Sequence, residues 1–126
     1  MKAKQLLIVD DSPVIIRRLK SLLKDLSGLP PIMEADSYAT AIPQLSAAPP
    51  PDILLLDINL PDRSGIELLR YVRRHHPAIA VIMISNQGST FYRNLCLELG
   101  AARYIDKSTE FELVPMIVTL LLSDNL

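Results

Sequence analysis

The sequence predicts an α/β protein built as a doubly wound, open parallel sheet, and three observations carry that prediction. Five short apolar runs, QLLIV (5–9), IMEA (32–35), ILLL (53–56), AVIMI (80–84) and ARYI (102–105), alternate with segments of helical periodicity. Most of these runs are continuous rather than alternating, the pattern of strands covered by helices on both faces. Strand then helix repeats five times, and right-handed crossovers wind such a chain into a sheet whose functional crevice lies at the carboxyl ends of its strands.

Each helix has its own start and stop signals. Ser12 and Pro13 suit the N-cap and N1 positions of the first, where Ile15, Ile16, Leu19, Leu22, Leu23 and Leu26 recur on one face opposite Arg17, Arg18, Lys20 and Lys24. Gly28 and the pair Pro30-Pro31 are expected to end it. The second spans about 37–47, and Pro43 in its middle should kink or shorten it. The third begins at Ser64, whose spacing to Glu67 predicts a capping box, buries Ile66, Leu69 and Val72, and stops before Pro77. In the loop before it, Pro61 and Gly65 are expected to set backbone angles. The fourth covers about 89–99 and is closed by Gly100; the last becomes regular near Val114, as Pro115 suggests, and runs to about Ser123.

Composition narrows the function. At 126 residues the chain is expected to form one domain, 1–126, with a core that needs no disulfide or structural metal. A formal charge of −1 offers no basic field for phosphate backbones, so nucleic-acid binding by this chain is disfavoured. Its single cysteine, Cys96, excludes an internal disulfide, and no signal peptide opens the sequence, which points to the cytoplasm. No apolar run approaches the roughly 20 residues that cross a bilayer.

The strand ends hold the chemistry. The first strand runs into Asp10-Asp11, the third into Asp57, the fourth into Ser85 and the fifth into Asp106-Lys107. Two adjacent acids at the mouth of a buried strand repel each other and resist desolvation unless a cation sits with them. Clustered carboxylates suit a hard cation such as Mg2+, and a lysine with a hydroxyl facing the same point suits the oxygens of a phosphoryl group.

In this order, the acidic pair, DINLPDRSGIELL (57–69), Ser85 and Asp106-Lys107 resemble the receiver domains of two-component response regulators, stand-alone or N-terminal, and the match spans essentially the whole chain. The resemblance implies a flavodoxin-like sheet of strand order 2-1-3-4-5 with five helices in three α/β/α layers. It makes Asp57 the phosphoacceptor, a carboxylate nucleophile that takes a phosphoryl group from a histidine kinase or phosphotransfer protein. Mg2+ would be held by Asp10, Asp11, Asp57 and the backbone carbonyl of Asn59. Lys107 and Ser85 would meet phosphoryl oxygens, and Tyr104 would swing inward with Ser85. The modification would be self-catalysed, without substrate turnover, and would bias the surface of the fourth and fifth helices and last strand toward a downstream protein. Two residues depart from the family pattern: Ser108 stands where proline usually follows the lysine, and Asn86 where a small residue usually follows the hydroxyl.

Other readings stay beside this one. An Mg2+-dependent aspartate-nucleophile phosphohydrolase also uses strand-end acids, but Asn59, two residues after Asp57, cannot shuttle protons. A degenerate receiver that only binds proteins is a further alternative, although every charged position of the site is present. No glycine-rich loop follows the first strand, as a nucleotide binder needs, and Ser85 lacks the elbow of a serine hydrolase. His75 and His76 read as helix-end residues and Cys96 as a core residue, while the spacing leaves Phe91 and Tyr92 undecided. The segment LVPMIVTLLL (113–122) is apolar nearly all round, which suggests a homodimer or partner surface.

Overall fold

The computed structural model describes residues 4–26, 31–86 and 89–123. In chain order the elements are β1 (Leu6–Val9), α1 (Pro13–Leu23), β2 (Met33–Ala35), α2 (Tyr38–Leu45), β3 (Ile53–Asp57), α3 (Gly65–His75), β4 (Ala80–Ser85), α4 (Thr90–Glu98), β5 (Arg103–Asp106) and α5 (Val114–Ser123), with a short 3-10 turn at Phe111–Leu113. The five strands are parallel in the order β2-β1-β3-β4-β5. This is the flavodoxin-like arrangement the sequence predicts, with winding reversed between β1 and β3.

Continuous apolar strands follow from two cores, one on each face. Along β1, Leu6 and Ile8 join Leu19, Leu23, Val114 and Ile117 beneath α1 and α5. Leu7 and Val9 point the other way, to Ala41, Leu68, Leu69 and Val72 beneath α2 and α3. Both faces being covered, polar alternation has no place, and each fully buried aliphatic side chain contributes about 1.5–3 kcal/mol. Cys96 is buried with the second group.

Several local expectations are corrected. Leu26 lies beyond α1, which ends at Leu23, although its side chain still packs on the core. Gly28 and Pro30 fall outside the described residues. The helix α2 continues through Pro43 and ends at Leu45, two residues short of the expected 47, in keeping with the shortening that Pro43 predicts. Its strong start explains the tolerance: Ser37 and Thr40 form a capping box, and the Asp62 carboxylate accepts from the N–H groups of Tyr38 and Ala39, both at 2.9 Å.

The predicted box at α3 is only half formed. Ser64 Oγ accepts from the N–H of Ile66 at 3.1 Å, while Glu67 is held chiefly by the Arg63 guanidinium at 3.0 Å and only weakly by the Ser64 backbone. Leu68, rather than Ile66, is fully buried beside Leu69 and Val72. His75 and His76 lie against Tyr71, with ring centroids 4.4 and 5.9 Å away. Phe91 is exposed and Tyr92 partly buried. Among the described residues no helix is long and apolar enough to cross a membrane.

Candidate functional site at the strand ends

Register brings the acids together. Val9 pairs with Leu56, so Asp10 and Asp57 emerge side by side, and Ser85 pairs with Asp106 on the far strands. Asp57 and Ser85 are the last residues of their strands, held by the ladder rather than by a loop. Asp10 is fixed by its own N–H, which donates to the Ala35 carbonyl at 3.1 Å, and by its Oδ1, which accepts from Ser12 N–H at 2.9 Å.

The centre of the cluster is the Lys107 ammonium, which donates to Asp10 Oδ2 at 3.0 Å and lies 3.4 Å from Asp57 Oδ1. Asp57 Oδ1 also accepts from Asn59 N–H at 3.3 Å. Asp10 and Asp57 are only 3% and 5% exposed, whereas Asp11 faces solvent. Burial therefore dominates Asp57: desolvation raises its carboxyl to about 6, with Lys107 opposing and Asp10 adding to the rise. One carboxylate oxygen from each of Asp10, Asp11 and Asp57 lies within 4.8 Å of the others, a donor set that fits a hard divalent cation. The three acids and Lys107 line an open pocket of about 450 Å³ together with Asn59, Ile15, Arg18 and Phe111. A larger concavity of about 630 Å³ lies around Tyr38, Tyr71 and the α3 arginines and is lined by none of Asp10, Asp11, Asp57, Ser85 or Lys107. Chemistry, rather than size, marks the site.

Gly65 acts through space, not through its backbone angles. A Cβ there would sit 2.0 Å from the Asp57 carbonyl oxygen, because the first turn of α3 closes onto β3 with Gly65 N–H donating to the Ile58 carbonyl at 2.6 Å. Among the described residues only Gly100, closing α4, has a positive φ, at 107°.

Lys107 is aimed by hydrogen bonds. Its N–H donates to the Ser85 carbonyl at 2.8 Å, and the Asp106 carboxylate accepts from the N–H and hydroxyl of Ser108 at 2.9 and 2.6 Å. An aspartate turn thus stands where proline would otherwise shape the chain, and those Ser108 donors hold the Asp106 carboxyl below its usual range. Ser85 is fully buried, and Tyr104, 5% exposed, lies inward against it. Burial raises the Tyr104 hydroxyl above its ordinary value, and the Ser85 contact partly offsets this. Asn86 is exposed on the pocket rim.

Sequence reasoning missed Arg93 and Glu110. Arg93 lies 5.1 Å from the Tyr104 ring centroid and pairs with Glu110 at 2.6 Å. The partners are 17 residues apart on different elements, a separation that carries no periodic signal.

These features coincide with one family. The chain belongs to the response regulator receiver domains, whose family model matches residues 6–118. Such domains are signalling modules of two-component systems, in which phosphorylation and Mg2+ are general features. The chain is 36% identical over 107 residues to the phosphate regulon transcriptional regulatory protein PhoB of Escherichia coli (strain K12), covering 83% of itself and 45% of that protein. It spans about half the length of the curated relatives it matches. Its fold is similar to the phosphorylated cyanobacterial phytochrome response regulator RcpA, with a TM-score of 0.86, 24% identity and coverage of 99% and 98% of the two chains. It is also similar to the Mn2+-bound response regulator Rcp1, with a TM-score of 0.83, 24% identity and 95% of each chain covered.

Proposed function

We propose that this chain is a phosphoacceptor receiver, residues 1–126 acting as one unit, in which Asp57 takes a phosphoryl group from a histidine kinase or phosphotransfer protein. An Asp57 carboxylate oxygen attacks phosphorus, the bond from phosphorus to the donor's imidazole nitrogen breaks, and an acyl phosphate forms. The observation that carries this reading is the buried Asp57 carboxylate, flanked by Asp10 and Lys107 at the point where the sheet reverses. Asp10, Asp11, Asp57 and the Asn59 carbonyl would hold Mg2+, which supplies positive charge against the phosphoryl oxygens.

The protein's own residues do the rest. Lys107, already between the two acids, is positioned to follow the charge onto a phosphoryl oxygen. Ser85 would donate to a second oxygen. Its contact with Tyr104 would carry the change to α4, β5 and α5, where a downstream protein reads it. The exposed Leu113, Met116 and Leu120 make the same region a candidate homodimer surface, to be tested by sedimentation with and without a phosphate mimic. We assign the chain to the cytoplasm and give it no nucleic-acid contact of its own.

Incubation with Mg2+ and a small acyl-phosphate donor, followed by intact mass, tests the assignment. A phosphoryl adduct is expected in the wild type and none in Asp57→Ala. An unlabelled wild type, or labelling that persists in Asp57→Ala, overturns it.

A further inference from the structure

A receiver needs a mechanical link between its phosphorylation site and its reading surface, and Glu110 has the contacts of one. Its Oε1 accepts from the Arg93 guanidinium on α4 at 2.6 Å and from the backbone N–H of Asp106, the residue before Lys107, at 3.0 Å. The same guanidinium donates through its other terminal nitrogen to the Tyr104 carbonyl at 3.1 Å and lies 5.1 Å from the centroid of the Tyr104 ring. One planar fork therefore grips the switch residue twice and the acid that grips the Lys107 loop.

The geometry suits transmission rather than stabilisation. Lys107 is bracketed: its own N–H is bonded to Ser85, the residue after it to the Asp106 carboxylate, and the residue before it to Glu110. When Lys107 shifts toward an anion on Asp57, the Asp106 N–H moves with it and Glu110 must follow or let go. Either outcome reaches Arg93. The Arg93 and Glu110 side chains are 39% and 31% exposed, so the pair is replaceable by water at little cost, as a reversible link requires.

We propose that Glu110 is a positioning residue that couples Lys107 to Tyr104 and α4 through Arg93. The proposal rests on the phosphoacceptor reading and deepens it: acceptance of the phosphoryl group and its readout at α4 are separable, and Glu110 belongs to the readout.

The test uses the full chain as wild type, Glu110→Gln, Arg93→Ala and Arg93→Lys, titrated with beryllofluoride in Mg2+. Calorimetry reads binding, and NMR of the tyrosine rings and α4 amides reads the response. Glu110→Gln and Arg93→Ala are expected to bind within about fivefold of wild type, because a half-exposed pair contributes little to affinity. Their Tyr104 and α4 responses should shrink by about fivefold or more, with partial rescue in Arg93→Lys. Wild-type responses in both Glu110→Gln and Arg93→Ala overturn the coupling, and so does a loss of binding that parallels the loss of response. A wild type that binds no beryllofluoride overturns the phosphoacceptor reading itself, and the coupling with it.

Discussion

Charged pairs at the strand ends and on the outer helices obey the same electrostatics and come out oppositely. Lys107, Asp10 and Asp57 have side chains only 8%, 3% and 6% exposed, whereas Arg63 and Glu67 are about half exposed. On the surface, the Arg63 hydrogen bond outweighs the small cost of burial and holds the Glu67 carboxyl below its ordinary value. At the strand ends desolvation outweighs even a neighbouring ammonium, and Asp57 rises to about 6. Burying a charge triad is a poor way to stabilise a fold. Its presence at the point where the sheet reverses supports the proposed chemistry there.

The contrast can be broken in order of expected effect. Asp57→Ala should abolish phosphoryl acceptance altogether, as seen by intact mass. Lys107→Ala should slow acceptance by about 100-fold or more, since it removes a fixed cation from the developing charge. In metal-free protein the same change should move the Asp57 titration above about 6, read by carboxyl-carbon NMR. Gly65→Ala should cost about 3 kcal/mol in urea unfolding, because its Cβ has no room against the Asp57 backbone.

Smaller effects sharpen the contrast. Asp57 has a folded pKa above its unfolded value of 3.8, so the folded state keeps the proton longer. Metal-free stability is therefore relatively favoured near pH 4 and falls as pH rises to about 6, and Asp57→Asn should remove that slope and raise stability at pH 7. Mg2+ affinity should weaken as pH falls through the same window, measured by calorimetry, because the cation competes with a proton on Asp57. Arg63→Ala should leave the unfolding midpoint unchanged, since an exposed pair loses to water what it gains from its partner.

The alternation of strands with helices and the helix starts at Ser12 and Ser64 were legible because they rest on periodicity and caps within a few residues of each other, whereas the strand order followed from the family resemblance. The half-formed box at α3 was misread because Arg63, one residue outside it, competes for Glu67. The capping box of α2 was overlooked because its N3 residue is Thr40 rather than an acid, and its second support, Asp62, comes from a distant loop.

By itself the sequence determined five strands, the alternation with helices and the delivery of Asp10, Asp57, Ser85 and Lys107 to one rim, because hydrophobic period and turn chemistry are local. Only the tertiary structure decided how those groups meet. Val9 pairing with Leu56 sets Asp10 beside Asp57, the missing Cβ of Gly65 lets α3 close on that strand end, and an aspartate turn takes over the aiming of Lys107. Burial of a charge and contact between Arg93 and Glu110 depend on every element packed around them, and no local pattern in the chain encodes either.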